Sequence, residues 1–372
     1  MKILNTTPLD QGVTHILAQG PLEADWRDQV RNAWGAYDKR ILNDEEWISE
    51  FEEGFYGPAW HSMIFSKESI VGHCALIPVE YVFGGQHIAG AGLEALYVVD
   101  SVRSSVLKYA NGVRPYAHIL TAETLKATRD LGLAFGLHTA TKQATRLWQM
   151  AGSRAVEVDF TTFFLGLDWL ENRKSRGKPM RWKDFGAHAA VKSYHTLLDV
   201  AGKIAGSKAS ARVVDQFGAE VDQLLLPNLT AQYDCIVPSS GYLNRRLWGK
   251  SYLKILLGNP IIGYLVIRTP NFYSSETAIV DYFVRLEKLN VRGALSIGGA
   301  LRSVLSRSGI SAVTINVPNV GRNVERWSRI LRYLGFVRIG PPTTATLLYY
   351  TNNEALSVSQ DWHITNLFQE RS

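Results

Sequence analysis

The pattern of apolar and polar residues predicts one order of strands and helices that occurs twice along the chain. In the first half, this order is three strands, a helix, a strand, a helix and a last strand. The strands are predicted at 61–67, 69–83, 92–100, 133–140 and 158–167, and the helices at about 117–131 and 142–152. The second and third strands flank the turn FGGQH and are expected to pair in an antiparallel manner.

The second half predicts the same order of elements. Its strands are predicted at 252–258, 261–269, 277–286, 310–319 and 343–351, and its helices at 294–309 and 325–335. Glycines end the helices at comparable points, where a C-terminal glycine is common. Each half is therefore expected to be an α+β unit, in which helices flank a mixed, mainly antiparallel sheet.

Two short phrases support an internal duplication. RLWQMAGSRAV begins at Arg146 and RILRYLGFVRI begins at Arg329, and in each the glycine comes six residues after the arginine. Each phrase predicts the end of a helix, a glycine and the beginning of a strand. We therefore expect Gly152 and Gly335 to superpose when the two halves are compared.

Length and composition agree with a globular protein of two domains. The chain has 372 residues, of which 46% are hydrophobic and 20% are charged, so it is not a disordered sequence. The predicted organisation is an N-terminal domain over residues 1–170, a basic linker and helix over 171–215, and a C-terminal domain over 216–372.

The cysteines and the N-terminus suggest an intracellular protein. Cys74 and Cys235 lie in apolar runs, and their spacing fits neither a metal site nor a disulfide framework. They are expected to be buried thiols in a reducing compartment. The N-terminus has no apolar core for a signal peptide, and no run approaches the roughly 18 apolar residues of a transmembrane helix. The sequence therefore predicts a cytoplasmic location.

The charge balance allows several anionic partners. The net charge is +6, which suits a nucleotide or phosphate ligand, nucleic acid or an anionic membrane surface. The segment ENRKSRGKPMRWKDFG, at 171–186, is rich in Lys and Arg, and an amphipathic helix is predicted at about 189–204. The basic segment and the helix together are either a solvated linker with one packing helix or a binding site for anionic lipid or nucleic acid. Because no nucleic-acid motif accompanies it, nucleic acid is not expected.

Several segments resemble the GNAT superfamily of acyl-CoA N-acyltransferases. NPIIGYLVIR, TAIVDYFVRL, INVPN and RWSRILRYLGF are similar to its second to fifth strands and fourth helix. GYLNRRLWG resembles the YLNWRY phrase of a subgroup with two GNAT-like halves, and VVDSVRSS resembles the V-x-P-x-x-R-G phrase, with Arg103 at its arginine. That subgroup is associated with polysaccharide pathways and is distantly similar to Fem-type aminoacyl transferases.

This resemblance implies a donor, an acceptor and a donor site. The donor would be acetyl-CoA, another acyl-CoA or an acyl carrier protein thioester, and the acceptor a small amine such as an amino sugar, with no metal. The phosphates would lie at the turn into the third helix, where Arg292 and Gly293 precede the helix. The second half is thus expected to bind the donor. Arg103 is the corresponding phosphate-binding candidate in the first half.

Two further residues are candidates for this donor site. Gly298 lies inside the third helix of the second half, where it either lets a phosphate approach or lets the helix pack closely. Asn319, at the end of INVPN, matches a position near the pantetheine arm in the family, and is otherwise a turn residue after Pro318.

Three residues are candidates for proton transfer. Glu94 has apolar neighbours in the strand GLEALYVV, which suits a general base for an ammonium substrate. His138, at the end of the strand LAFGLH, is the second choice, and Asp281, in TAIVDYF, is the counterpart of Glu94 in the second half. Each has a structural alternative: a rim carboxylate, a hydrogen-bonded histidine or an intrasheet acid.

One departure from the family leaves a second class of function open. The tyrosine that the family uses as general acid is replaced by Trp148 in the first half and by Leu331 in the second. The alternative to an N-acyltransferase is therefore a non-catalytic relative that keeps the fold as a binding or scaffold protein.

Overall fold

The structure is a computed structural model of the chain. It describes residues 1–10, 12–38, 44–110, 112–139, 142–175, 177–204, 210–247, 252–269, 277–319, 324–354, 356, 358 and 362. The last two residues of the GYLNRRLWG phrase, at 248 and 249, lie outside these ranges.

The described residues form nineteen strands. These are β1 (Lys2–Asp10), β2 (Val13–Gln19), β3 (Glu53–Gly54), β4 (Gly57–Pro58), β5 (Trp60–Ser66), β6 (Ser69–Phe83), β7 (Gln86–Val98), β8 (Val106–Tyr109), β9 (Gly112–Pro115), β10 (Phe135–Thr139), β11 (Arg154–Gly166), β12 (Ala211–Val214), β13 (Cys235–Ile236), β14 (Tyr252–Leu257), β15 (Gly263–Arg268), β16 (Ala278–Val284), β17 (Ala312–Pro318), β18 (Val337–Arg338) and β19 (Thr343–Thr351).

Eleven α-helices accompany them within the described ranges. These are α1 (Ala24–Asp38), α2 (Asp44–Trp47), α3 (Asp100–Arg103), α4 (Tyr116–Asp130), α5 (Lys142–Ala151), α6 (Trp169–Ser175), α7 (Trp182–Ile204), α8 (Leu226–Thr230), α9 (Ser240–Arg246), α10 (Val291–Arg307) and α11 (Val324–Leu334). Two π-helical turns, Ile48–Glu52 and Val221–Leu225, and one 3-10 turn, Leu286–Lys288, complete the list.

One large sheet runs through both halves of the chain. Its strand order is β1-β2-β5-β6-β7-β10-β19-β11-β17-β16-β15-β14-β12. Most neighbours are antiparallel, and two pairs, β7 with β10 and β16 with β17, are parallel. The predicted α+β class with a mixed, mainly antiparallel sheet is confirmed.

The two halves exchange their last strands. β19, from the end of the second half, lies between β10 and β11 of the first half and is antiparallel to both. In return, the C-terminal part of β11 pairs with β17 of the second half. The domain boundaries predicted from the sequence therefore do not separate two sheets.

Each half contains a pair of parallel strands that separate. β7 and β10 pair only at Gly90–Gly92 with Phe135–Leu137. β16 and β17 pair only at Ala278–Ile279 with Thr314–Ile315. Beyond these rungs the two strands of each pair form no further ladder contacts among the described residues, and we call each such opening a splay.

Gly152 and Gly335 end equivalent helices in the same way. Gly152 follows α5 with φ +115° and Gly335 follows α11 with φ +103°, a region that favours glycine. The amide of each donates to the carbonyl three residues before it, at 3.1 and 3.0 Å. The repeated phrase therefore encodes the same helix end in both halves.

Some elements lie outside the predicted order. The hairpin of β1 and β2 extends the sheet at one edge, and the hairpin of β8 and β9 occupies the connection between β7 and α4. β1 carries polar residues at many positions because it is an edge strand, so its sequence gives little apolar alternation. Both cysteines are buried free thiols, as predicted.

Candidate functional site

Tyr81 holds the splay of the first half open. Its ring lies over Gly90, where a β-carbon would come within 2.7 Å of the ring. Its hydroxyl donates to the carbonyl of Ala91 at 3.3 Å and accepts from the amide of Leu137 at 3.2 Å. The side chain therefore bridges β7 and β10 at their last rungs, after which their backbones separate.

A bulge lies in β7 at this point. The register with β6 shifts between the pairs Ala75–Glu94 and His73–Tyr97, and Ala95 has φ +51°. Positive φ at a residue with a β-carbon is uncommon and costs of order 1 kcal/mol, and such residues are frequent at functional sites. The bulge turns the strand just where it leaves β10 and sets the direction of the Glu94 side chain.

Glu94 forms an ion pair with Arg246. Nη2 of Arg246, the last residue of α9, lies 2.6 Å from Oε1 of Glu94, and the Glu94 side chain is only 10% exposed. Oε2 is buried and accepts no hydrogen bond from the described residues. The predicted base therefore has an ionic partner 152 residues away in sequence, together with one oxygen left for a further donor.

His138 lies on the opposite face of the sheet from Glu94. Its ring packs on Trp148 of α5 at 4.5 Å, within the cluster that contains Cys74 and Leu76. Glu94 instead lies on the other face of the sheet, beside Gly92 and the side chain of Val79. Burial lowers the pKa of His138 to about 3, so the ring is neutral. The first and second choices for a base are thus not brought together.

Asp281 occupies the corresponding place in the second splay. Like Glu94, it lies two residues beyond the last rung that its strand makes with the parallel neighbour. It is 3% exposed; Oδ2 accepts from the Tyr264 hydroxyl at 3.1 Å and Oδ1 from the amide of Tyr282 at 3.0 Å. Both oxygens are satisfied within the protein, which is typical of a structural carboxylate.

The predicted donor residues of the second half lie on α10. Arg292 is exposed in the first turn, and the amide of Gly293 donates to Oδ1 of the N-cap Asn290 at 2.8 Å. A β-carbon on Gly298 would lie 2.9 Å from the Cα of Leu334. The absence of a side chain at Gly298 therefore lets α10 pack against α11, in agreement with the packing alternative.

Asn319 and Arg103 each have partners within the protein. Oδ1 of Asn319 accepts from the Thr161 hydroxyl at 2.7 Å, at the point where β17 meets β11. Nη2 of Arg103 lies 2.7 Å from Oδ1 of Asp100 and donates to the carbonyl of Val98 at 3.3 Å. Arg103 therefore lies directly after β7, at the mouth of the first splay.

The helix that follows the first splay begins without a side-chain cap. α4 has Pro115 as its N-cap residue, and no side chain accepts from its first amides. Arg114 stands just before it, and burial, followed by the Arg114 charge, lowers the pKa of His118 in the first turn. α10, by contrast, has its first turn capped by Asn290. The start of α4 therefore has more unpaired amide groups for an anion.

Glu94 and the predicted phosphate residues of α10 belong to different splays. Five strand steps separate β7 from β16 along the sheet. At the usual spacing these steps span about 24 Å. A donor whose phosphates lie at α10 would reach into the splay beside Asp281, whereas a donor held at α4 would reach into the splay beside Glu94.

Arg246 was not a sequence candidate, although it belongs to a phrase that was singled out. GYLNRRLWG contains two arginines, and the helix α9 directs Arg245 to Glu53 at 2.6 Å and Arg246 to Glu94 at 2.6 Å. Arg245 stands at the tryptophan of the YLNWRY phrase, and Arg246 stands at the arginine that follows it. This match to the arginine is the signal that could have identified Arg246.

A buried array of three polar residues has the order of a catalytic triad but only one of its two hydrogen bonds. The Ser62 hydroxyl lies 2.9 Å from Nε2 of His15, and Nδ1 of His15 lies 3.7 Å from Oε2 of Glu123. Burial lowers the pKa of His15 to about 4, and Ser62 is fully buried. We therefore interpret the array as a polar network that joins α4 to β2 and β5.

Solved structures share this fold. A GCN5-related N-acetyltransferase of Anabaena variabilis matches 91% of this chain and 73% of its own, with a TM-score of 0.59 at 13% identity. One of Kribbella flavida matches 90% and 71%, with a TM-score of 0.56 at 12% identity. N-myristoyltransferase of Saccharomyces cerevisiae with bound myristoyl-CoA matches 96% and 89%, with a TM-score of 0.50 at 10% identity.

At these identities the likeness concerns the fold. The chain has the fold of the GCN5-related N-acetyltransferases, extended over both halves of one continuous sheet. No family model matches the sequence, and no curated protein sequence matches it. Among the described residues, no group of three or more His, Cys, Asp or Glu side chains could hold a metal ion. No helix in the same ranges is long and apolar enough to cross a membrane.

Proposed function

We propose that the protein is an N-acyltransferase whose reaction takes place in the splay of β7 and β10. The observation that carries this proposal is the Glu94–Arg246 pair, which lies at the bulge of a splayed strand in a GCN5-related fold. The donor is an acyl thioester of CoA and the acceptor is an amine. A carrier-protein thioester is the alternative donor.

Glu94 acts as the general base in this proposal. An ammonium group of the acceptor donates to Oε2 of Glu94 and gives up a proton to it, while Arg246 keeps the carboxylate in place through Oε1. The amine nitrogen then bonds to the thioester carbonyl carbon and loses its second proton to water, the carbonyl re-forms, and the carbon–sulfur bond breaks. Backbone amides of the splayed strands are suited to polarise the carbonyl.

The leaving thiolate receives no proton from α5. Trp148 occupies the position of the family's tyrosine, is buried against His138 and has no dissociable hydroxyl. A thiol has an ordinary pKa near 8.5, so it can leave as a thiolate and take its proton from water. The reaction therefore depends on the base more than on an acid.

The phosphates of the donor are assigned to the start of α4. Its uncapped amides, Arg114 and Arg103 supply positive charge at the mouth of the splay that contains Glu94. The alternative is α10 with Arg292 and Gly293, as expected from the sequence, which would place the donor in the second splay. The variants Arg103→Ala and Arg292→Ala distinguish phosphate binding at α4 from phosphate binding at α10, and Arg154→Ala is a control at another exposed arginine.

Binding of acetyl-CoA, longer acyl-CoAs and CoA to the variants can be measured by calorimetry and thermal shift. A ligand at 100 times its dissociation constant stabilises the protein by about 2.7 kcal/mol. Of the three variants, only Arg103→Ala should raise the Kd, by roughly tenfold or more, because it removes a charged contact to phosphate. If only Arg292→Ala weakens binding, the donor belongs to the second half. If no thioester binds, the acyltransferase proposal fails.

The acceptor is tested by a panel of amines with acetyl-CoA. Amino sugars and their nucleotide derivatives come first because the doubled subgroup that the sequence resembles is associated with polysaccharide pathways. The panel includes amino acids and simple amines. A second candidate, a non-catalytic binding protein, is favoured by the buried Trp148 and Leu331 at the two acid positions. Donor binding without turnover on every amine would support it.

A further inference from the structure

The helix α7 has its apolar side directed to solvent. Trp182 is 91% exposed, Leu197 is 69% exposed and Ile204 is 81% exposed. Phe185 and Val200 are also exposed. At 100° per residue, these five side chains fall within about 120° of one another, so they form one stripe along the helix. We call these five residues the α7 stripe.

The opposite side of α7 packs on the protein, with polar or small residues at its fully buried positions and Val191 and Leu198 half-buried among them. Asp184, His195 and Gly202 are buried there, and a β-carbon on Gly202 would lie 3.2 Å from the carbonyl oxygen of Leu295 in α10. Asp199 forms an ion pair with Arg302 of α10. A surface helix of a globular protein normally directs its apolar side to the core. α7 also directs five large apolar side chains to solvent, which indicates a partner for the stripe.

The charges that border the stripe have one sign. Lys183 lies along one border and Lys192 and Lys203 along the other, and all three are exposed. Among the described residues, no carboxylate lies in ion-pair contact with any of the three. The two acidic residues of α7 are bound to Arg173 and Arg302. An approaching surface therefore meets apolar side chains between rows of cations.

We propose that α7 docks on an anionic lipid surface, with the α7 stripe in the interfacial layer and the lysines at the headgroups. A helix with a broad apolar face, Trp and Phe on it and Lys beside it lies in the plane of a membrane interface. Trp182, at the N-terminal end, has the ring type enriched at that depth. The helix is about 35 Å long, and it lies along the surface because its opposite side is packed on the protein.

Charge complementarity selects the lipid over a second copy of the chain. A symmetric pair of α7 stripes would bring two sets of three lysines against each other, whereas the one partly exposed carboxylate of α7, Asp199, is already paired with Arg302. Like charges in such a position destabilise an interface. A nucleic acid would pair with the lysines but not with Leu197, Val200 and Ile204, which offer no stacking surface.

The test is flotation of the full chain with two kinds of vesicles, phosphatidylcholine alone and phosphatidylcholine with phosphatidylglycerol. We expect binding to the anionic vesicles, weakened by salt, and little binding to the neutral ones. The triple variant Lys183→Glu, Lys192→Glu, Lys203→Glu should lose at least about a hundredfold in partition, since each lysine contributes about fivefold. The matched control Lys2→Glu, Lys67→Glu, Lys108→Glu changes three exposed lysines elsewhere.

The apolar part is tested by Leu197→Ser with Ile204→Ser, against Ile3→Ser with Val106→Ser as exposed controls. The first pair should lower partition by at least about tenfold and the second should not. All four side chains are exposed, so circular dichroism and the melting temperature should stay unchanged. Three results would overturn the proposal: equal binding to both vesicles or to neither, a dimer that the stripe variants dissociate, or RNA binding that the lysine variants abolish.

Discussion

The splay of β7 and β10 and the splay of β16 and β17 have the same backbone and different polar contents. In the first, Glu94 has one oxygen on Arg246 and one without a partner in the described part of the chain. In the second, Asp281 has both oxygens bound, one by Tyr264 and one by the amide of Tyr282. The same position thus holds a carboxylate with one oxygen left without a partner in the described residues and a carboxylate whose oxygens are both bound.

The largest expected effect is on turnover through Glu94. Glu94→Gln keeps the shape of the side chain but removes the base, so kcat should fall by about 10²- to 10⁴-fold in an acyl-transfer assay. Asp281→Asn is the matched control in the second splay, and it should reduce the stability of the protein while kcat changes little. A loss of turnover in Asp281→Asn alone would reverse the assignment of the two splays.

The next largest effect is on stability through Arg246. Arg246→Ala leaves the buried Glu94 carboxylate without its cation, which should lower the free energy of unfolding by about 3 kcal/mol in urea denaturation. Arg245→Ala, one residue earlier on the same helix, breaks an exposed pair with Glu53 and should cost less than about 1 kcal/mol. Equal losses in the two variants would show that Glu94 does not need Arg246.

A smaller effect distinguishes the two faces of the first splay. The pKa of His138 is about 3 in the folded protein because of burial, against 6.5 in the unfolded chain. Unfolding therefore takes up a proton below pH 6.5, and stability falls as the pH falls. At pH 5 the buried, neutral His138 lowers the free energy of unfolding by about 2 kcal/mol relative to its value well above pH 6.5.

His138→Leu should remove that contribution and reduce the pH slope of the unfolding free energy by one proton between pH 6.5 and about 3. The remaining slope comes from His15 and His73, whose pKa values burial lowers to about 4, and from His61, His118 and His195, whose pKa values burial also lowers. Turnover should be retained, because His138 lies on the face away from Glu94. A pH profile of kcat that shifts in His138→Leu would restore it as a catalytic candidate.

The smallest effect concerns the residue that separates the strands. Tyr81→Phe removes the hydroxyl that bridges Ala91 and Leu137, at a cost of about 1–2 kcal/mol in unfolding free energy. Tyr97→Phe is the control, since its buried hydroxyl has no partner among the described residues and its removal should be neutral or stabilising. If Tyr81→Phe is neutral as well, the splay does not depend on the bridge.

Local patterns in the sequence predicted most of the elements around the two splays. Alternation predicted β6, the part of β7 from residue 92 onward, and the turn at Gly84 and Gly85, where φ is positive; it missed the first six residues of β7. Helical periodicity and glycine predicted α4, found at Tyr116–Asp130, within a residue of its expected bounds. These features depend on interactions between residues close in sequence, and a single chain reveals them.

The contacts that decide the chemistry are not local. Arg246 reaches Glu94 across 152 positions, and no period or spacing connects the two. The role of Gly298 also depends on a distant contact, because its close neighbour is α11. The sequence alone could therefore not distinguish helix packing from phosphate binding at this position. The outward apolar side of α7 was also hidden, since an amphipathic pattern does not say which side meets the protein.

The exchange of last strands has a consequence for how the chain is made. β10 has β19 as its neighbour, with Leu348 opposite His138, so this edge stays unpaired until residues 343–351 have been synthesised and have left the ribosome. An unpaired strand edge attracts other strands, and pairings between distant residues form slowly. We expect truncations before residue 343 to aggregate during synthesis, even where every residue of the first half is present.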